Sequence, residues 1–142
     1  MKFGYFKLPL SQPSELFGSS ILKPIIPIKI SAGTSTLRYA VLIDSGADFC
    51  IFDAQIGEAL QLDVRSGRQE QFGGIQERGG ATAFIHKVII NVGGWDYKID
   101  AGFSYDIAKQ GYGILGQKGF FDTFVVKFDY QKEEIELAEK KK

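Results

Sequence analysis

The chain has 142 residues, with 17 Lys and Arg against 17 Asp and Glu, a net charge of zero, and 44% hydrophobic residues. That composition fits one globular domain with a real core, and a neutral chain without a basic block is a poor partner for nucleic acid or acidic lipid. A single cysteine, Cys50, excludes an internal disulfide framework and a cysteine-rich zinc site, while a single histidine, His86, leaves a metal site thinly supplied. No stretch reaches the roughly 18 apolar residues that span a bilayer. The N-terminus lacks the apolar core of a signal peptide. The expectation is a cytoplasmic protein without membrane segment, metal or cofactor.

In chain order, residues 1–20 carry the weakest pattern, with Pro9, Pro13 and Ser19-Ser20, and are read as an N-terminal arm preceding one domain over 21–139. Ile26, Ile28 and Ile30 alternate across Pro27 and Lys29 as a strand. Pro27 has no N–H for a ladder, so the strand belongs at an edge or near its own start. The unbroken run Tyr39–Ile43 indicates a strand buried on both faces. Asp53 is placed to cap a short helix carrying Ile56, Ala59 and Leu60, weakened by Gly57. Phe72-Gly73-Gly74-Ile75, with Gly79-Gly80 close behind, reads as a glycine-rich tip between two strands.

The runs Ala83–Val92 and Trp95–Phe103 flank Gly93-Gly94, a hairpin signal because both central residues are free to take positive φ. Tyr97, Ile99, Ala101 and Phe103 alternate with Lys98, Asp100 and Gly102. His86 shares strand parity with Phe84, Val88 and Ile90, which favours a hydrogen-bonded structural histidine. Cys50, between Phe49 and Ile51, reads as a small buried hydrophobe. Trp95 is expected to pack on its hairpin. Gln117–Thr123 allows one or two helical turns. Phe124, Val126, Phe128 and Tyr130 alternate again, then Tyr130–Glu133 turns into a strand bearing Ile135 and Leu137. Lys140–Lys142 is a basic tail. The fold class is all-β, a closed or partly open barrel with one or two short helices.

The chemistry lies in Val41-Leu42-Ile43-Asp44-Ser45-Gly46-Ala47. An acid directly after a buried strand is costly to desolvate when ionised, the serine beside it can donate a hydrogen bond, and the glycine permits a sharp turn and close approach. Alone, such a tripeptide is weak evidence and fits an ordinary turn after a strand. Here it is followed by the glycine-rich tip and then by Ile114-Leu115-Gly116.

These three signals, in this order, resemble the retropepsin-like aspartic proteases over about residues 22–138. The resemblance implies that Asp44 is the catalytic aspartate, supported by Ser45 and Gly46, with Ile114-Leu115-Gly116 bracing the loop from beneath. It implies that Ala47, Asp48, Gly73, Gly74, Ile75 and Ile114 bind substrate, the glycines as a flap over the peptide. Two departures stand out. Gln117 occupies the position where retroviral members carry an Arg that pairs with an acid, here Asp48, so a charged pair becomes at most a neutral hydrogen bond. Gln76-Glu77-Arg78 makes the flap polar.

Aspartic protease chemistry needs two carboxylates about one water, and this chain offers one Asp-Ser-Gly. The resemblance therefore implies a homodimer with Asp44 from each chain, cleaving peptide or protein substrates without a cofactor. It also puts the chain ends, Ile135–Ala138 and the Phe3–Leu10 arm, at the interface. The alternative is a non-catalytic dimerisation or peptide-binding module that keeps the fold. A glycine-rich sandwich that binds carbohydrate is a more distant one.

Overall fold

The computed structural model describes residues 1–73 and 80–140. Gly74, Ile75 and Gln76-Glu77-Arg78 of the expected flap lie outside the described residues, as does the end of the basic tail.

The chain is built mostly of strands. They are β1 (Lys2–Gly4), β2 (Phe6–Ser14), β3 (Gly18–Lys23), β4 (Ile25–Ala32), β5 (Ser35–Ile43) and β6 (Ile51–Asp53). After helix α1 (Ala54–Ala59) come β7 (Arg68–Phe72), β8 (Ala81–Val92), β9 (Trp95–Ser104), β10 (Gly113–Leu115), β11 (Phe124–Asp129) and β12 (Glu134–Glu139). Short 3-10 turns occupy Val64–Ser66 and Tyr105–Gln110.

Six strands, in the order β4-β5-β10-β6-β9-β8, close into a barrel because β4 also pairs with β8. β7 continues the sheet beyond β8, β1-β12-β11 form a separate three-stranded sheet, and among the described residues β2 and β3 pair only with each other. Closure explains how Pro27 is accommodated. It sits third in β4 opposite Ala40, and β8 joins β4 only from Lys29 to Ser31, beyond the missing N–H.

The hairpins follow the turn chemistry. Val92 pairs with Trp95 across Gly93 and Gly94, at φ +60° and +94°, values that a primed turn requires. The turn Tyr130–Glu133 joins β11 to β12, with the Glu133 N–H donating to the Tyr130 carbonyl at 3.1 Å.

The barrel interior is filled by Ile26, Ile30, Val41, Phe52, Ile90, Phe103 and Leu115, and Phe120, Phe124, Ile135 and Leu137 extend the core beneath the outer sheet. Phe52 and Phe103 meet edge to face at 5.7 Å, an arrangement that lets a ring edge meet a ring face. Asp53 caps α1 through Oδ1, which accepts the Gln55 N–H at 2.9 Å. Gly57 is set by space: a Cβ there would stand 2.9 Å from both Phe103 and Val64 side chains.

Four expectations change. Residues 1–20, weakly patterned in sequence, form strands β1 and β2 and the first half of β3. β5 is central but not buried on both faces: Val41 and Ile43 are buried, whereas Ala40 on the outer face is exposed. Gln117–Thr123 forms hydrogen-bonded turns, with Phe121 N to Gly116 O and Asp122 N to Gln117 O, because this short link must deliver the chain directly into β11. Trp95 is 68% exposed, since it follows a tight turn at the far end of the hairpin with no layer above it.

Candidate active site

β5 and β10 run parallel, with Leu115 level with Ile43, so the two strands end side by side. At that end the Asp44 N–H donates to the Leu115 carbonyl at 3.0 Å, and the Ala47 N–H returns to the Asp44 carbonyl at 3.2 Å. The half-buried Asp44 carboxylate accepts the Gly46 N–H on Oδ1 at 2.9 Å. This local bond fixes the side chain and leaves Oδ2 without a hydrogen bond inside the described chain. The exposed Ser45 hydroxyl is likewise unbonded there.

The segment after β10 clamps this loop. Gln117 N–H donates to the Ala47 carbonyl at 2.8 Å and Lys118 N–H to the Asp48 carbonyl at 2.9 Å, while Phe49 bridges to Lys118. Such an approach requires Gly116, whose missing Cβ would lie 2.7 Å from the Ala47 oxygen and closer still to the Phe49 oxygen. Behind the clamp, the buried Cys50 Sγ accepts the Gly116 N–H at 3.5 Å. Burial pushes its thiol up to about 12, so it is inert as a nucleophile at neutral pH.

In front of the loop lies a cleft of about 890 Å³. Its floor is Gly46, Ala47, Asp48 and Ile114, and its far wall is Gln71, Phe72, Gly73, Gly80 and Thr82. Phe49 and Phe72 meet edge to face at 6.2 Å and close one side. Thr82 is pinned from behind: its N–H donates to Asp106 Oδ2 at 3.0 Å and its carbonyl accepts the buried Ser104 hydroxyl at 2.7 Å.

No protein-family model matches the chain, and no curated protein matches it. Among solved structures, a retropepsin-like aspartic protease from Rickettsia conorii is similar over 96% of this chain and 92% of its own, at 13% identity and a TM-score of 0.57. The chain has a retropepsin-like fold. EIAV protease complexed with the inhibitor HBY-793 is also similar, over 67% of this chain and 82% of its own, at 25% identity and a TM-score of 0.47. The fold assignment comes from the Rickettsia structure.

Within this retropepsin-like fold, Gly46, Ala47, Asp48, Gly73 and Ile114 come together around one cleft, and Asp44 and Ser45 lie on the same loop without lining it. Gln71, Phe72 and Thr82 were not legible as cleft residues, because their placement depends on β7 pairing with β8 across the glycine-rich tip. The expected Gln117–Asp48 contact is absent among the described residues. Gln117 Nε2 donates instead to the Ser45 carbonyl at 2.7 Å, and the exposed Asp48 carboxylate has no partner among the described residues. An amide carries no charge to draw in a carboxylate, so the nearer backbone acceptor takes its N–H. His86 is structural: its Nε2 donates to the Val64 carbonyl at 2.8 Å and its ring packs on Phe103. No group of three or more His, Cys, Asp or Glu able to hold a metal occurs among the described residues. No described helix is long and apolar enough to cross a membrane.

Proposed function

We propose that the chain is an aspartic endopeptidase that works as a homodimer, with one Asp44 from each copy about a shared water. The observation that carries the reading is the Asp44 loop itself. A carboxylate at the end of β5, held by Gly46 N–H on one oxygen and without a partner on the other among the described residues, stands beside a cleft of about 890 Å³.

The mechanism follows from electrostatics. Two carboxylates about 3 Å apart cannot both stay ionised cheaply and share one proton. The ionised member takes a proton from the water as its oxygen attacks the scissile carbonyl carbon. The protonated member hydrogen-bonds to the carbonyl oxygen as charge develops there. Collapse of the tetrahedral intermediate breaks the C–N bond, and the leaving nitrogen takes the proton the base acquired. The Ser45 hydroxyl, without a partner among the described residues, is available to donate across the two-fold axis and keep the carboxylates coplanar. Ala47 lines one side of the cleft, and the Asp48 N–H there and Gly73 on the other side offer backbone to an extended peptide, which binds as an added strand.

The test is Asp44→Asn. An amide can neither accept the proton from water nor share one with its twin, so turnover of a peptide library should drop by about 10³-fold or more, with the dimer intact by sedimentation. Wild-type turnover from the folded Asp44→Asn protein would reject the assignment.

A further inference from the structure

Among the described residues the β2–β3 hairpin stands apart from the barrel sheet and pairs only with itself, and a lone strand pair is marginal in water. Its tip is nonetheless well formed. Ser14 Oγ accepts the N–H groups of Leu16 at 3.1 Å and Phe17 at 3.2 Å, and Gly18 at φ +79° turns the chain back. That fixed turn presents Leu16, 81% exposed, and Phe17, 46% exposed, where turns ordinarily carry polar residues. Beside them Glu15 is exposed and has no ion-pair partner among the described residues.

At the base of the same hairpin is an open, mostly apolar groove of about 790 Å³ between Phe6 and Leu8 of β2 and Pro27 and Ala40 on the outer barrel face. Arg38 lines it. On the sheet, Arg38 lies directly opposite Lys29; both are exposed, and neither has a carboxylate partner among the described residues. Like charges facing across an antiparallel pair repel, so this face of the barrel gains from an incoming acid. The groove also explains why the apolar run of β5 leaves Ala40 uncovered.

Tip and groove are complementary: two apolar side chains and a free carboxylate against an apolar trough and a free guanidinium. A chain cannot fill its own groove. Leu8 in the groove and Leu16 at the tip are eight residues apart along an extended strand, on the order of 20 Å. Of the chain-end strands, β12 has both edges paired, to β1 and to β11, and β1 offers only its three residues Lys2–Gly4 at the sheet edge.

We infer that the hairpin is an exchange arm between two copies of this chain. Leu16 and Phe17 of each copy seat beside Pro27 and Ala40 of the other, with Glu15 paired to Arg38 across the contact. A two-fold axis that seats each tip in the other copy's groove makes both contacts at once and closes the assembly. The inference rests on the reading above that two copies share one pair of Asp44 carboxylates, and names the surface that holds them.

Sedimentation equilibrium of the full chain tests it. The wild type should be a reversible dimer. Leu16→Ser/Phe17→Ser should raise the dimer Kd at least about tenfold, a floor set by exposing two large side chains. Glu15→Arg and Arg38→Glu should each weaken the dimer, and the combined swap should recover most of the loss. A folding defect in either reversal would not be repaired by the other. A wild type that stays monomeric at millimolar concentration, or tip and charge variants that dimerise like wild type, overturns the arm. Loss of turnover with unchanged dimer Kd would give the groove to peptide substrate and also overturn it. If the tip variants fall apart but Asp44→Asn still cleaves peptide, the arm stands and the endopeptidase reading falls. If Asp44→Asn is inactive and the tip variants remain dimers, the reverse holds.

Discussion

The side chain of Gln117 donates from Nε2 to the carbonyl oxygen of Ser45 at 2.7 Å. Its backbone N–H holds the Ala47 carbonyl at 2.8 Å, so one residue grips the Asp44 loop at two points on either side of Gly46. The amide is partly solvated, and a bond of this kind contributes about 0.5–1 kcal/mol net. Its larger effect is on position. Gln117→Ala should lower the melting temperature by about 2–4 °C while reducing kcat by about tenfold with little change in KM, since loop displacement is felt chiefly in the transition state. Gln117→Glu should be worse than Ala, because a carboxylate facing the Ser45 carbonyl repels it. Unchanged kcat in both variants would remove Gln117 from the positioning machinery.

Gly116→Ala should act through packing. The added methyl would stand 2.7 Å from the Ala47 oxygen and nearer to the Phe49 oxygen, both rigid backbone atoms. Overpacking against backbone costs about 1–3 kcal/mol, here at the upper end because the clamp between the segment after β10 and the Asp44 loop has to open. Urea titration should show a lower midpoint with the slope retained, and peptide turnover should fall further than stability alone accounts for. A midpoint equal to wild type would contradict the geometry of the clamp.

Alkaline pH should destabilise the fold. Burial raises the Cys50 thiol from 9.0 to about 12 and the Tyr39 hydroxyl from 10.0 to about 12. Both groups are neutral when protonated, so the folded state holds protons that the unfolded state releases. Their contribution is complete below pH 9, and stability falls as pH rises from 9 towards 12. The slope approaches roughly 1–3 kcal/mol per pH unit where both groups titrate in the unfolded chain. Thermal melts at pH 8, 9, 10 and 11 should therefore descend, and Cys50→Ala should flatten the first part of the decline. A melting temperature independent of pH over this range would refute the burial of both groups.

Much of the architecture was readable because period-two patterns and turn residues agreed. Tyr97 to Phe103 and Phe124 to Phe128 lie in strands, and Gly93-Gly94 and Tyr130–Glu133 are their turns. The Asp44 loop and Ile114-Leu115-Gly116 were legible as motifs, and the parallel register of Leu115 with Ile43 supplies the reason: two short segments far apart in sequence must meet. The β2–β3 hairpin was not legible, since Pro9 and Pro13 interrupt its pattern and its register shifts between Pro9 and Ser14. The 3-10 turn Tyr105–Gln110 carries one local signal, Ser104, whose hydroxyl accepts the Asp106 N–H at 3.1 Å as an N-cap. At Gln117 the resemblance allows at most a neutral hydrogen bond to Asp48, whereas its Nε2 donates to the Ser45 carbonyl.

The same 3-10 turn yields the last prediction. Ser104 Oγ donates to the Thr82 carbonyl at 2.7 Å and Asp106 Oδ2 accepts the Thr82 N–H at 3.0 Å, so Thr82, on the cleft wall, is held through both its backbone groups. Asp106 touches no part of the Asp44 loop that any hydrogen bond records. On the proposed reading, removing it should therefore loosen the substrate wall of the cleft and leave the Asp44 carboxylates in place. Asp106→Ala should raise KM by about three- to tenfold, with kcat within about twofold of wild type, the signature of lost uniform binding. Asp106→Asn, which keeps a carbonyl acceptor for the Thr82 N–H, should recover most of the loss. Steady-state kinetics on one peptide substrate separates these outcomes, and a fall in kcat at constant KM would show that Asp106 acts on the reacting groups instead of on the wall.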